Sequence, residues 1–235
     1  SRTKRMASPL DLQEQEQLDQ IKSFWNQYGS LITWTVTLAL AGFAGWNVWQ
    51  WWQREQGAKA GALYDELDRM AGSGDVEKTT RAFGDLKDRF PRTLQAQQGA
   101  LLAAKLQADK GQADAALGTL GWVADNAGED ELRSIARLRA AGLLLDQKKF
   151  DDALKQLDAA QQGKPREFDA LIADRRGDIL ATQGKRAEAV AAYQAAYKAM
   201  DAKTEYRTLV EAKLTALGAA PAAETLAVSA SGVAK

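Results

Sequence analysis

The sequence of 235 residues contains neither cysteine nor histidine. Without cysteine the chain cannot form a disulfide, a thiolate nucleophile, a zinc ribbon or an iron–sulfur site. Without histidine it lacks the commonest metal ligand and the commonest general base. We therefore expect no metal, no cofactor and no catalytic residue. The absence of cysteine is compatible with any compartment, and it suits an oxidising one, where a free thiol is readily oxidised.

The chain also has no net charge, since its 31 basic and 31 acidic residues balance to zero. Nucleic-acid-binding proteins usually carry a basic surface, so no nucleic acid partner is expected. Acidic residues do cluster, as in Glu129-Asp130-Glu131 and Asp151-Asp152. Paired carboxylates carry out acid–base chemistry only where a pocket shifts their pKa, whereas at helix starts they cap the helix and interact favourably with its dipole. An enzyme is therefore the least favoured interpretation.

One long apolar stretch, Leu31 to Trp52, interrupts this polar composition. No Asp, Glu, Lys or Arg lies between Lys22 and Arg54. A helix of these 22 residues would be ~33 Å long, enough to cross a hydrocarbon core of about 30 Å. Six of the seven tryptophans lie in or beside the stretch, and tryptophan favours the level of the lipid headgroups. The pattern predicts a membrane-spanning helix surrounded by lipid; the alternatives are a buried core helix and a cleaved signal peptide.

Two features of the predicted span concern its partners and its orientation. Ala41 and Gly45 are four residues apart and share one helix face, and small residues on one face let a second membrane helix approach closely. Only Lys22 precedes the span within 20 residues, whereas Arg54, Lys59 and Arg69 follow it, so the positive-inside rule taken literally places the amino terminus outside. Long downstream domains translocate largely regardless of charge, so the rule is uninformative here. Charge alone therefore does not assign the two sides of the membrane.

The sequence after Trp52 is rich in Ala, Leu, Gln, Lys and Asp with helical periodicity, and it predicts an all-α fold. Proline occurs there only at 91, 165 and 221, each at a predicted helix end. The predicted helix pairs are 55–72 with 75–90, 93–109 with 112–127, 130–147 with 150–162, and 166–183 with 186–201. A final helix is predicted at 204–217. Residues 218–235 lack bulky apolar side chains and are predicted to form a disordered tail.

The helix pairs repeat at intervals of 37 and 36 residues, with small side chains where two helices would cross and a large one behind them. The aligned columns are Ala104, Ala141 and Gly177; Ala116, Ala153 and Ala189; Leu120, Leu157 and Tyr193; and Val123, Ala160 and Ala196. A weaker fourth copy has Thr79, Phe83 and Leu86, but Leu67 stands in the column of small residues. The columns predict a tetratricopeptide-like α-solenoid of about four helix pairs and a C-terminal helix. A generic alanine-rich bundle is the alternative.

A family resemblance becomes specific in the N-terminal third. The run Glu14-Gln15-Glu16-Gln17-Leu18, the run Trp25-Asn26-Gln27-Tyr28-Gly29, the Trp-rich span and the GALYDEL run at Gly61 to Leu67 resemble the YfgM family. These are ancillary subunits of the bacterial SecYEG translocon. The resemblance extends from Met6 to about Leu217. Residues 1–5 fall outside it, and Met6 is the expected natural start.

The resemblance implies a single-pass protein of the bacterial inner membrane. Residues 1–30 would be a cytoplasmic segment, 31–52 the transmembrane helix and 53–217 a tetratricopeptide-like periplasmic domain, with 218–235 as the tail. The implied partners are the SecYEG translocon, a membrane-anchored chaperone of the PpiD type and periplasmic client proteins. No catalytic motif is transferred by the resemblance.

The repeat frame also predicts a partner-binding surface. In a tetratricopeptide array the first helix of each pair lines the concave face, which is the usual binding surface. The predicted concave-face residues are Leu101, Lys105, Ile135, Leu138, Leu145, Leu171, Asp174 and Asp178. Ile135, Leu138 and Leu145 would form an apolar patch rimmed by charges. The alternative is that the final helix or a neighbouring repeat covers these residues.

Two functions remain open at this point. The first is a membrane-tethered interaction module that links the translocon to chaperones and incoming clients. The second is a structural scaffold of an inner-membrane complex, which associates with itself through the repeats or through the face of Ala41 and Gly45.

Overall fold

A computed structural model describes residues 9–163 and 166–222, and every regular element within these ranges is helical. The predictions made for Met6, for Pro165 and for residues 223–235 of the tail lie outside the described residues. The first helix, α1 (Pro9–Gly72), is 64 residues long. The chain divides into two compact units, one ending at Gln56 and one beginning at Gly57, so α1 contributes to both.

In the first unit, the stretch from Leu31 to Trp52 is continuously helical and its side chains are not buried within the fold. It is the one helix in the described part of the chain that is long and apolar enough to cross a membrane. A core helix would be mostly buried, so that alternative is wrong.

The polar side chains of the apolar stretch bond to their own helix. Thr33, Thr35 and Thr37 each donate a hydroxyl hydrogen bond to the carbonyl oxygen four residues earlier, at 2.7, 2.8 and 2.7 Å. Asn47 Nδ2 donates to the Phe43 oxygen at 2.9 Å. Because unpaired polar groups are costly in lipid, these bonds let the helix keep four polar side chains inside an apolar span.

In the second unit, the end of α1 and the helices that follow form four helix pairs and a last single helix. The remaining helices are α2 (Val76–Arg89), α3 (Leu94–Asp109), α4 (Ala113–Asn126), α5 (Asp130–Asp146), α6 (Phe150–Gln162), α7 (Asp169–Thr182), α8 (Arg186–Ala199) and α9 (Glu205–Ala216). One turn of 3-10 helix, Arg166–Phe168, precedes α7. The predicted helix pairs are confirmed. The first helix of each pair is called the A helix below, and the second the B helix.

The turns inside the helix pairs add a column that the sequence prediction missed. Gly74, Gly111, Lys148 and Gly184 each follow an A helix and adopt positive φ angles of 75°, 79°, 59° and 78°. In each turn the next amide donates to the carbonyl five residues earlier, for example Gln112 N to Gln107 O at 2.8 Å. This is the Schellman motif that ends a helix. Glycine at three of the four positions was the available signal, and Lys148 is the exception.

The predicted repeat columns lie in the core. Ala116, Ala153 and Ala189 are fully buried, and the large side chains that follow them are buried as well. Leu67, which breaks the column of small residues, is also fully buried. Its bulk is accommodated by the next A helix, since a Cβ on Gly99 would lie 3.2 Å from Leu67 Cδ1. The small residue is therefore supplied by a neighbouring repeat.

The acidic clusters lie in the first turns of α5 and α6, where they interact favourably with the helix dipole. Neither helix has a side-chain cap bond, however, so the capping part of the prediction is wrong. Side-chain caps are found instead at Asp75, which accepts from Lys78 N, and at Thr93, which accepts from Ala96 N. These residues precede their helices by one position and can turn back to the free amides.

Candidate functional site

An open groove runs over the A helices of the second unit. It encloses about 400 Å³ and is lined by residues of α3, α5 and α7, with Leu120 of α4 below them. We call this surface the A-helix groove and define it by Ala104, Lys105, Leu138, Arg139, Gly142, Leu143, Asp146 and Arg175. Since A helices stand side by side in a solenoid, only a narrow strip of each one faces the open side.

The predicted concave-face residues divide between this groove and the core. Lys105 and Leu138 line the groove. Leu101 is only 9% exposed and belongs to the core. Ile135, Leu138 and Leu145 are all half-buried, and each packs against a cluster of buried apolar residues. The predicted three-residue apolar patch is therefore only partly exposed, and of its members Leu138 is the one that lines the groove.

The three residues predicted on α7 have different surroundings. Leu171 is exposed, at 38% of its surface. Asp178 is half-buried, and Asp174 is only 2% exposed, so Asp174 does not rim an open surface. Its side chain is covered by α9, in agreement with the alternative that the final helix closes part of the face.

A polar cluster fixes α9 over α7. Lys213 Nζ donates to both oxygens of Asp174 at 2.8 and 3.0 Å, and to Asp178 Oδ1 at 2.8 Å. Tyr206 Oη donates to Asp174 Oδ2 at 2.5 Å, and Tyr193 Oη donates to Asp178 Oδ1 at 2.7 Å. A buried carboxylate is tolerated only when it is paired and hydrogen-bonded, so Asp174 depends on α9 for its partners.

Burial raises the pKa of both phenols in this cluster above the ordinary value. For Tyr193 the hydrogen bond to Asp178 adds to the effect of burial, and for Tyr206 the hydrogen bond to Asp174 does so. Both groups therefore stay protonated and keep donating throughout the neutral pH range. The end of α9 is held as well, since Arg186 Nε donates to the Leu217 oxygen at 2.9 Å.

The charges of the A-helix groove are only partly paired. Lys105 Nζ lies 2.8 Å from Asp109 Oδ2. Arg139 Nη1 donates to the Leu101 oxygen at 3.3 Å, so the guanidinium of this α5 residue contacts α3. The guanidinium of Arg175, on α7, lies against Gly142 of α5. A Cβ on Gly142 would lie 3.8 Å from Arg175 Nη1. Arg139 and Arg175 were missed from the sequence. The signal for Arg139 was its spacing of three residues from Gly142, on the same helix face.

Among the described residues, no group of three or more acidic side chains is arranged to hold a metal ion. The predicted membrane-helix contact at Ala41 and Gly45 lies in the first unit, and both residues are exposed. A Cβ on Gly45 would meet nothing within 4 Å, so this face is open to a neighbouring helix.

Comparison with known proteins supports the repeat architecture. The model of the tetratricopeptide repeat-like domain family matches residues 22–219. A Podosopora anserina protein, described as a putative kinesin light chain with nearly identical TPR-like repeats, superposes with a TM-score of 0.53 at 13% identity. The superposition covers 68% of this chain and 85% of that one. At this identity the likeness concerns the fold alone.

Two curated relatives match most of the chain. A Neisseria gonorrhoeae protein named ancillary SecYEG translocon subunit is 30% identical over 207 residues, which are 88% of this chain and 98% of the relative. An Escherichia coli protein of the same name is 25% identical over 188 residues, covering 79% of this chain and 87% of that protein.

Proposed function

Because the chain belongs to the tetratricopeptide-repeat-like family of ancillary SecYEG translocon subunits, we propose that it is a non-enzymatic interaction module anchored in the membrane beside a SecYEG translocon. The observation that carries this proposal is the match to the Neisseria gonorrhoeae relative along nearly its full length. The architecture agrees with it, since an apolar helix is followed by a solenoid whose A-helix groove is open to a partner.

The proposed topology is that expected from the sequence. Residues 1–30 lie in the cytoplasm, residues 31–52 span the inner membrane, and residues 53–217 form the periplasmic domain. The apolar span supports the anchoring part of this arrangement, and the family membership supports the inner membrane as its location. Orientation rests on the family resemblance.

The proposed role of the solenoid is to hold other proteins near the translocon. A chaperone of the PpiD type and periplasmic clients are the partners that the resemblance suggests. The A-helix groove is the proposed contact surface, because it combines an apolar floor with charged side chains, as protein-binding surfaces do. Of the predicted contact residues, Lys105 and Leu138 are best placed to take part.

A second candidate is the self-associating scaffold. It is favoured by the open face of Ala41 and Gly45, where a Cβ on Gly42 or Gly45 would meet nothing within 4 Å. Small residues at such a face allow two membrane helices to approach closely. In this case the neighbours of the span would be copies of the same chain.

Photo-crosslinking in living cells separates the two candidates. A photoreactive amino acid is placed in the groove at Leu138 and in the span at Ala41, with Glu188 on the exposed side of α8 as the matched control position. Translocon subunits among the products from Leu138 or Ala41, and not from Glu188, are the expected result. Products that contain only this chain would favour the scaffold and contradict the translocon role.

A further inference from the structure

The A-helix groove brings two guanidinium groups, one from α5 and one from α7, to a short stretch of α5. Arg139 is three residues before Gly142, so the two positions are neighbours on the helix surface, about 5–6 Å apart. Arg175 comes from α7 and lies against Gly142, where the missing side chain leaves room for its guanidinium. Two different A helices therefore present arginine side chains to the same part of the groove.

The nearby carboxylates leave these arginines with unused donors. Asp109 is already paired with Lys105 at 2.8 Å. Asp178 accepts from Lys213 and Tyr193 through Oδ1, while its other oxygen lies 3.9 Å from Arg175 Nη1. A guanidinium has five N–H donors in a planar fork, which matches a carboxylate with two parallel hydrogen bonds. The contacts seen for Arg139 and Arg175 use a small part of that capacity.

The floor beside the two arginines is apolar. Ala104 and Ala108 of α3, Leu120 of α4, and Leu138 and Leu143 of α5 line the same cavity. The volume of about 400 Å³ is sufficient for several side chains of a peptide. A ligand that places one apolar side chain on this floor brings its neighbouring side chain within reach of the arginines.

The far end of the groove limits how acidic such a ligand can be. Asp146, the last residue of α5, lines the groove one turn beyond Gly142. Asp109, the last residue of α3, lies at the corresponding end of its own helix. Like charges repel at short range, so a continuous acidic tract is disfavoured while a single carboxylate near the arginines is not.

We propose that the A-helix groove binds a partner segment in which one glutamate or aspartate is flanked by leucine-sized apolar side chains. The carboxylate lies between Arg139 and Arg175, and the apolar side chains lie on the floor formed around Leu138 and Leu143. This inference deepens the proposed function, since it rests on the groove being the surface at which a partner docks. It adds the chemistry that the partner must carry.

The test uses the full chain in detergent micelles and a short fluorescent peptide in which one glutamate is flanked by leucines. Fluorescence anisotropy compares this peptide with its glutamine counterpart. Because hydrogen bonds to charged groups are the stronger ones, the glutamate peptide is expected to bind at least about tenfold more tightly, which corresponds to ~1.4 kcal/mol. The combined variant Arg139→Gln/Arg175→Gln is expected to abolish this difference.

Two further variants keep the result interpretable. Arg176→Gln is the matched control, since Arg176 is adjacent to Arg175 but bonds to Asp158 at 2.7 Å, away from the groove; it should bind both peptides as the unchanged chain does. Gly142→Glu places a carboxylate of the chain itself between the two arginines. It should weaken binding of the glutamate peptide about tenfold or more while the helix content by circular dichroism stays unchanged.

Several outcomes would overturn the inference. Equal affinity for the two peptides, or no binding of either, shows that the groove does not select a carboxylate. The same holds if Arg176→Gln weakens binding as much as the groove variants do. If the Arg139→Gln/Arg175→Gln variant loses binding to phosphatidylglycerol vesicles but binds both peptides as the unchanged chain does, the arginines are assigned to lipid headgroups. If crosslinking to the translocon persists while peptide selectivity fails, the proposed function stands and this inference falls. If the groove selects the glutamate peptide but no translocon subunit is crosslinked, the chemistry of the groove stands and the proposed role at the translocon falls.

Discussion

Gly177 lies directly beneath the ring of Tyr193. A Cβ added to Gly177 would overlap the ring atoms Cδ1 and Cε1, so the two residues fit only because one has no side chain. In the same columns, Ala104 and Leu120 share one buried cluster, and Ala141 and Leu157 share another. The larger residue on the B helix is thus matched by a smaller one on the A helix.

Gly177→Ala is therefore expected to destabilise the second unit. The overlap with Tyr193 should cost up to ~3 kcal/mol, which outweighs the gain of about 1 kcal/mol from the better helix propensity of alanine. Urea denaturation followed by circular dichroism measures the change. Gly142→Ala is the control, because its Cβ would be at an ordinary 3.8 Å from Arg175; it should be neutral or stabilising. Equal effects of the two changes would contradict the packing described.

Lys148→Gly is expected to stabilise the chain. Lys148 occupies the position that glycine holds in the other three turns, with a φ angle of 59°. The left-handed conformation costs a residue with a side chain roughly 1–2 kcal/mol, and glycine avoids this cost. The midpoint of urea denaturation should therefore rise. Gly111→Ala, at the corresponding turn, should lower it by a similar amount, and a fall in both variants would argue against the shared turn.

Lys213→Met should release α9 from α7. The change leaves the Asp174 carboxylate buried without its cation, and breaking a buried pair in this way typically costs about 3–5 kcal/mol. Hydrogen exchange measured by mass spectrometry should show faster exchange in residues 205–216. Lys203→Met, at an exposed position outside α9, is the control and should leave exchange there unchanged. Protection of α9 in Lys213→Met would show that the cluster does not hold it.

Alkaline pH should loosen the same contact. Burial and the hydrogen bonds to Asp178 and Asp174 raise the pKa of Tyr193 and Tyr206, so the unfolded chain loses these protons first, near pH 10. Above that pH the unfolded state binds fewer protons than the folded state, and the free energy of unfolding decreases as pH rises. Denaturation at about pH 8 to 11 should show this slope. The decrease of the free energy of unfolding with pH should be smaller in the double variant Tyr193→Phe/Tyr206→Phe. An unchanged decrease would show that other groups cause it.

The topology can be tested with reporter fusions after Leu217. An enzyme that is active only in the periplasm should be active there, because the proposed orientation places residues 53–217 on that side. A reporter active only in the cytoplasm should be inactive at the same position. It should be active when it is fused within the proposed cytoplasmic segment, residues 1–30. The opposite pattern at Leu217 would reverse the proposed orientation.

Repeated packing made the fold predictable from the sequence. Ala116, Ala153 and Ala189 recur because each faces the same helix crossing, and a crossing of that closeness excludes larger side chains. The exception at Leu67 could not be explained from its own repeat. Its space is provided by Gly99 in the next A helix, and only the three-dimensional arrangement brings these two residues together.

The candidate site was less accessible to the same reasoning. The repeat frame assigned Asp174 to the concave face, but it contained no information that α9 covers that part of α7. Arg175 was not predicted to line this surface, because its contact with Gly142 joins positions 33 residues apart in different repeats. Long side chains that cross between helices are not encoded in a column pattern.

The single helix α9 covers the end of the last described helix pair. A solenoid has two open ends, and each resembles the surface on which the next repeat would stack, so an unprotected end can join another chain. Val210 and Leu214 fill that surface from one side, while Glu205, Thr208, Glu211 and Thr215 face outward. A chain truncated after α8 would expose Leu180 and Tyr193 at its terminus. Such chains are expected to associate through this apolar face, which α9 covers in the full chain.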